Sequence, residues 1–417
     1  MNLLRSLLLM SLIGLSYPTS GQTISGQIIN QETGSPLPYA SILLKNTNAG
    51  TASNSDGDFS LETASKADTL VVSYLGFETK EVPLTGNYIP LTISLKPSVV
   101  GESEINVTDD FEIELVEKAI QKVNDSDEGR AFGRAFYRQL TKSGAVYTEF
   151  VETFYDAEIS PNHIERWKVD EGRYAVIPYD SLRYTMYHRN LSIFSRIELV
   201  DQQPYRNSII WPLRDDTRQY YNFYLERSYP GTSENILEIS FEKKDNLPKP
   251  GFEGTLIMTD STHQLLELSV YINDPNFNPI SPLAKKAEVK NTTLEIVFTR
   301  TSVNNGQPFP NRISVNLAYD YLKKKGLFGK TDFEKRIETQ SILYFYDYEL
   351  DGLSQYLTDG YFDENSDISD YRRIEKTGYN PQFWVDNAVI KRTPVQQEVI
   401  NSFEEYGSFG KMFNQKK

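Results

Sequence analysis

The sequence predicts a mainly β protein in two parts: a small antiparallel sandwich near the N-terminus, then a longer antiparallel meander with a few packed helices. Three observations carry this. Short apolar or alternating runs recur along most of the chain, separated by turn clusters such as ETGSP, SNSDGD and NNGQP. Apolar spacing of the helical kind stands out in two places, after Asp110 and after Pro394. The 417 residues include 27 Tyr and 22 Phe, enough aromatic surface to pair across strands and fill a core.

Taken in order, Met1–Arg5 carries one positive charge, LLLMSLIGL (7–15) is a short apolar run, and Thr19-Ser20-Gly21 are small. That order predicts a secretory signal peptide over residues 1–21, cleaved after Gly21. The run is too short to span a bilayer, and no later stretch reaches the roughly 18 apolar residues a span needs, so the mature chain is expected to have no transmembrane helix.

Residues 22–97 read as a seven-stranded type of β-sandwich. TISGQII, YASILLK, TLVVSYL and LTISLK are its clearest strands, and LTISLK (91–96) puts Leu91, Ile93 and Leu95 on one face. GTASNSDGDFSLE (50–62) resembles the start of a calcium loop, with Asn54, Asp56 and Asp58 at alternate positions. Starting the loop at Asn54 puts Phe59 at the glycine position and Ser65 at the glutamate position; starting at Ala52 makes alanine the first ligand and Thr63 the last. Neither register works, so Asp56-Gly57 is expected to turn a hairpin between GTAS and DFSLE.

Residues 98–110 are polar and irregular, a linker. FEIELVEKAIQKV (111–123) places Ile113, Val116, Ala119, Ile120 and Val123 at helical spacing behind Asp109 and Asp110 as capping candidates. From residue 133 strands return, from AFYRQLTK and VYTEFVETFY to RISVNLAYDYL and RIETQSILYFYDYEL, with NNGQP (304–308) as a hairpin turn. TPVQQEVINSFEEYG then opens a helix over 394–406: Thr393 and Gln396 form a capping box, Pro394 takes the first helical position, and Val395, Val399, Ile400 and Phe403 face the sheet.

ISGQIINQETGSPLPYASILLKNTNAGTASNSDGDFSLE followed by DTLVVSYLGFETKEVPL resembles the carboxypeptidase regulatory-like domain, a transthyretin-like β-sandwich. Gly26, Gly34, Pro36, Pro38, Ala40, Gly50, Thr51, Gly57, Phe59 and Ser73–Phe77 match, while Asn54 replaces the more usual Asp. Downstream, ILEISFEKK and FEGTLIMTDSTHQLLELSVYI resemble the strand pairs of the lipoprotein carrier LolA. This second resemblance implies a curved, half-barrel-like antiparallel sheet over 111–417 with an apolar concave face. Together the two are similar to exported Gram-negative envelope proteins headed by this regulatory-like domain, whose remainder is uncharacterised.

The charge balance of 43 basic against 57 acidic residues, net −14, argues against nucleic acid as a partner. With no cysteine, the chain has no disulfide, thiolate metal site or cysteine-linked lipid. Zinc-carboxypeptidase chemistry needs His and Glu three apart, but Arg166, Leu191 and Leu266 follow His163, His188 and His263 at that spacing. FGKT (328–331) lacks the first glycine of a phosphate loop, since position 324 is lysine. LKKKGLFGKT is read as a charged hairpin tip, with Leu327 and Phe328 as candidates for contact with a membrane or partner. YYNFYLERSY (220–229) nominates Tyr220, Tyr221, Phe223 and Tyr224 as candidate ligand contacts, against the plainer reading of cross-strand packing.

The expectation is therefore an exported, non-enzymatic envelope protein without cofactor or metal, located in the periplasm, at either face of the outer membrane, or secreted. It pairs an interaction module with a binding surface for a lipid-like apolar ligand or an envelope protein. The alternatives are a cell-surface glycan-binding or glycan-processing protein and a structural scaffold.

Overall fold

The computed structural model describes residues 22–45, 50–63, 69–84, 90–98, 110–126, 129–176, 197–201, 209–231, 234–277 except 246 and 248, 287–325 except 304–305, 330–350, 370–386, 390–405 and 409. The expected signal peptide, residues 99–109 of the expected linker, and Leu327 and Phe328 lie outside the described residues. The chain forms two compact units that divide between Lys96 and Pro97, with Ile390 and Lys391 grouped with the first.

The first unit has strands β1 (Gln22–Asn30), β2 (Ser41–Leu44), β3 (Gly50–Ala52), β4 (Asp58–Thr63), β5 (Thr69–Ser73), β6 (Lys80–Pro83) and β7 (Leu91–Leu95). They make a three-stranded sheet, β4-β1-β7, and a four-stranded sheet, β3-β2-β5-β6. Alternation along each strand buries Ile24, Ile28, Phe59, Leu61, Ile93 and Leu95 of the first sheet in one core with Ile42, Leu44, Leu70 and Val72 of the second. All pairs are antiparallel except β1 with β7, which run parallel. A Cβ at Gly26 would stand 2.2 Å from the Leu91 carbonyl oxygen, so only glycine lets these two strands close at that point.

The 50–62 stretch is not the hairpin the sequence suggests. β3 and β4 lie in different sheets, so the chain crosses the sandwich between them. The turn itself forms: Asn54 Oδ1 accepts from the amides of Asp56 and Asp58, each at 2.9 Å, and Gly57 takes φ +76°. Packing decides the strands' partners, because β3 pairs with β2 while Phe59 and Leu61 of β4 pair along β1. A turn signal fixes a reversal of direction and leaves open which sheet receives the next strand.

The second unit opens with α1 (Phe111–Ser126). Strands β8 (Ala131–Ser143), β9 (Val146–Ile159), β10 (Ile164–Val176), β11 (Tyr221–Pro230), β12 (Asn235–Lys243), β13 (Glu253–Thr259), β14 (Leu265–Ile272), β15 (Ala287–Ser302), β16 (Pro308–Lys325) and β17 (Lys330–Glu349) follow. Helices α2 (Asp370–Thr377), α3 (Pro381–Asp386) and α4 (Pro394–Glu405) complete it. The ten strands form one antiparallel sheet in the order β10-β9-β8-β17-β16-β15-β14-β13-β12-β11, open at β10 and β11 and not closed into a barrel. It is two meanders, joined where β17 pairs with β8.

One face of this sheet, here the inner face, carries Phe223, Ile239, Leu256, Leu268, Phe298 and Ile313 in one core with Leu115, Val116, Ala119, Ile120 and Val123 of α1. The helical spacing read in the sequence is the buried stripe for Val116, Ala119, Ile120 and Val123, with Leu115 added and Ile113 only partly buried at its edge. At the β10 edge α2 joins the same core through Tyr371 and Ile374. Tyr371 lies 4.2 Å from Tyr174, ring centre to ring centre. On the opposite face α4 sets Val399, Ile400 and Phe403 against Leu140, Phe150 and Ala175.

The capping box of α4 forms as expected: Thr393 N–H donates to Gln396 Oε1 at 3.1 Å, and Gln396 N–H donates to Thr393 Oγ1 at 3.2 Å. Val395 departs from the expectation, being 52% exposed. It sits roughly 90° around the helix from the centre of the stripe formed by the other three residues.

Candidate functional site

β8 pairs in register with β9 on one side and β17 on the other, placing Arg138 opposite Glu152 and Thr141 opposite both Glu149 and Thr339. Side chains alternate, so residues three apart point to opposite faces. Gln139, Thr141, Glu149, Thr339 and Ser341 therefore share the inner face, while Arg138, Glu152 and Arg173 share the other.

On the inner face Glu149 is buried, and its Oε2 accepts from Thr141 Oγ1 at 2.7 Å and from Gln139 Nε2 at 3.0 Å. Gln139 Oε1 accepts from Tyr137 Oη at 2.6 Å and from Ser341 Oγ at 3.3 Å, and the hydroxyls of Thr141 and Thr339 are 3.2 Å apart. Glu149 Oε1 has no hydrogen-bond partner among the described residues, nor has Thr153 Oγ1, which lies beside Tyr137 in the ladder. Burial pushes the Glu149 carboxyl up to about 7, and the two donated hydrogen bonds offset this only in part. Glu149 is thus a carboxyl that holds its proton below about 7, is ionised above it, and keeps one oxygen unfilled.

On the opposite face Glu152 is fully buried and gathers three guanidiniums. Arg138 Nε donates at 2.8 Å, Arg173 at 3.0 and 2.7 Å, and Arg392 at 3.4 Å. Burial opposes the charge, yet these cations hold the Glu152 carboxyl far below the usual carboxylate range. Arg173 also lies 4.7 Å from the Trp384 ring and 5.1 Å from that of Phe409, and Arg138 donates to Gln396 at 3.0 Å. This cluster fastens α3 and α4 to the sheet and leaves both Glu152 oxygens fully engaged. It is a clamp, and the chemically open group is Glu149.

The aromatics nominated from sequence separate. Tyr221 and Phe223 are in the inner core, Tyr221 donating to the Ile210 carbonyl at 2.7 Å. Tyr220 is half-buried, with the Arg214 guanidinium 4.4 Å from its ring centre. Tyr224 alone of the four is exposed, its hydroxyl donating to Glu242 at 2.7 Å. Packing within the strand pair accounts for the burial of Tyr221 and Phe223. Among the described residues no group of three or more His, Asp or Glu side chains is placed to hold a metal ion.

Sequence reasoning passed over Glu149 and Glu152. The signal was present in VYTEFVETFY, where two carboxylates interrupt an otherwise apolar and aromatic strand at a spacing that puts one on each face.

In structure the chain is similar to a LolA superfamily protein from Nitrosomonas europaea, with a TM-score of 0.22 and 13% identity over 60% of this chain and 97% of that one. It is similar in the same measure to a DUF1329 family protein from Desulfovibrio piger, with a TM-score of 0.23 and 8% identity over 58% and 93%. In sequence it is 36% identical over 81 residues to TonB-dependent receptor P3 of Formosa agariphila, covering 19% of this chain. It is 35% identical over 86 residues to TonB-dependent receptor SusC of Bacteroides thetaiotaomicron, covering 20%. Each match spans 8% of the receptor's length. Residues 24–107 match the CarboxypepD_reg-like domain model, which the two-sheet sandwich of β1–β7 suits, so the N-terminal unit is a domain of that family.

Proposed function

We propose that the chain is a non-enzymatic, exported envelope protein whose first unit is an interaction module and whose ten-stranded sheet holds a largely apolar ligand with one polar end. The carrying observation is the change of character along the inner face. From β11 to β16 that face is apolar, and where β17, β8 and β9 meet it becomes a hydrogen-bonded set around Glu149 with one oxygen unfilled. A lipid-like molecule matches both parts, its body gaining about 0.8 kcal/mol per buried methylene. Its polar end would satisfy the open carboxyl oxygen, which otherwise costs about 1–3 kcal/mol. Export is supported by the signal-peptide pattern of residues 1–21 and by the sandwich's likeness to parts of TonB-dependent receptors.

The test is mass spectrometry of an organic extract of residues 22–417, purified from a native envelope without detergent. Stoichiometric lipid is the expected result. A clean extract from protein shown to be folded would rule the ligand out.

A second reading has its own observation. Tyr224 and Tyr271 are each 45% exposed on the face opposite the inner core, three strands apart or about 14 Å. Between and beside them run the exposed carboxylates of Glu242, Glu253 and Glu295. A flat, aromatic, hydrogen-bonding strip of this kind suits a glycan chain. Binding to a polysaccharide panel that is lost in Tyr224→Ala and Tyr271→Ala would favour it over the lipid reading.

A further inference from the structure

A cleft of about 270 Å³ lies away from Glu149, where four elements of the second unit converge. The last turns of α1 supply Lys122, Val123 and Ser126, and the β13–β14 turn supplies His263, Gln264 and Leu265. β15 supplies Arg300, and the β15–β16 turn supplies Gly306, Gln307 and Pro308. None of these ten residues is acidic, although the chain carries a net charge of −14. Three are cationic or become so on protonation: Lys122, His263 and Arg300. A neighbouring hollow shares Lys122 and Ser126 and adds Lys118, Gln121 and Asp125.

These groups are held in place. Arg300 is 8% exposed, and its guanidinium donates to the Leu265 carbonyl at 3.2 Å and the Pro308 carbonyl at 2.9 Å, bracing it between two turns. Lys122 Nζ donates to the Thr262 carbonyl at 2.7 Å. His263 has φ +53°, a left-handed conformation that strains a non-glycine residue. A helix C-terminus normally repels anions through its free carbonyls. Here Gln307 Nε2 covers the Ser126 carbonyl at 3.1 Å, and Ser126 Oγ covers that of Val123 at 3.0 Å.

We infer that this cleft is an oxyanion site that takes a phosphate or phosphate-ester group. Lys122 and the buried Arg300 guanidinium, joined by His263 on protonation, suit a group of charge near −2 better than a single carboxylate. Amide donors from Gln264 and the second N–H of Gln307 are on hand for its oxygens. The field at His263 agrees: burial, Lys118 and Lys122 pull its ring below the ordinary value, against the opposing pull of Glu234 and Asp260. A bound phosphate would reverse that balance.

The experiment is an NMR titration of the three histidine rings in the full chain, at constant ionic strength, with and without millimolar inorganic phosphate. The expected result is a saturable rise in the His263 midpoint while His163 stays fixed, with affinity weakened about tenfold in Lys122→Gln, a surface change. A parallel arm replaces phosphate with vesicles containing phosphatidylglycerol. A response to free phosphate alone identifies a soluble phosphate compound, and a response to vesicles alone identifies a lipid headgroup; either supports the site. No response in either arm overturns it, as does a uniform shift of all three rings or an unchanged affinity in folded Lys122→Gln protein.

Discussion

Glu149 and Glu152 stand three residues apart on one strand, both are buried, and their carboxyls are driven in opposite directions. Glu149 faces two neutral donors on the inner side of the sheet, whereas Glu152 faces three guanidiniums on the other. Burial is the same for both. The difference lies in the charges each strand neighbour brings, and it separates a group with spare capacity from a group used up in holding the structure together.

The sharpest way to break this comparison is Glu152→Gln. It leaves Arg138, Arg173 and Arg392 facing one another without their anion, and a loss of about 3–5 kcal/mol in unfolding free energy by denaturant titration is expected. A loss below 1 kcal/mol would mean that the rings of Trp384 and Phe409, with Glu404 at 3.7 Å from Arg173, carry the arginines unaided. The depressed carboxyl of Glu152 contributes stability that is complete above its unfolded value, fades as pH falls below it and is gone in strong acid, so the Gln variant should converge on the parent there.

Glu149→Gln is the complementary change, and its sign is opposite. A carboxyl raised to about 7 keeps its proton when folded at pH values where the unfolded chain has lost it, so stability is highest below the unfolded value and falls as pH rises through about 7. The fall is about 3 kcal/mol across that window. Urea midpoints measured from pH 4.5 to 8 should show this slope in the parent and a flat profile in Glu149→Gln, which should be the more stable protein at pH 8. A slope retained in the variant would assign it to the other carboxyls of this unit that burial raises, Asp156, Glu171 and Glu267.

Gln396→Ala should cost less, about 1–2 kcal/mol, because one oxygen serves both the Thr393 cap and Arg138. Its effect should shrink when combined with Glu152→Gln, since the two share Arg138. Smallest of all, Tyr224→Ala and Tyr271→Ala on the exposed strip should change stability by no more than about 0.5 kcal/mol, which leaves any loss of ligand binding readable as a surface effect.

Much of the architecture was legible from local pattern. The strands of the sandwich, the apolar stripe of α1 and the capping box of α4 follow from residues within a turn or a strand of one another. β10 was passed over because Glu165, Lys168, Asp170, Glu171 and Arg173 give it the look of a solvated segment. In the fold Arg173 is buried and paired with Glu152, and no local pattern announces that. The Glu152 clamp draws on positions 138, 173 and 392, so its existence depends on register and not on spacing. The sheet exchange between β3 and β4 was hidden for the same reason: turn chemistry is local, strand partnership is not.

The pairing of β17 with β8 also sets the order in which the molecule can be made. β8 is the first strand of its unit to leave the ribosome and β17 the last, so the seam between them, three strands in from the β10 edge, is the final one to close. Until residues near 349 arrive, β8 and β16 each present a long strand with bare amides and carbonyls, open to pairing with another chain. Loop closure over some two hundred residues is slow compared with the neighbouring hairpins. Folding of this unit should therefore stall at two unequal sheets, β8–β10 and β11–β16, and a cell that makes the protein must keep those edges covered until the seam is sewn.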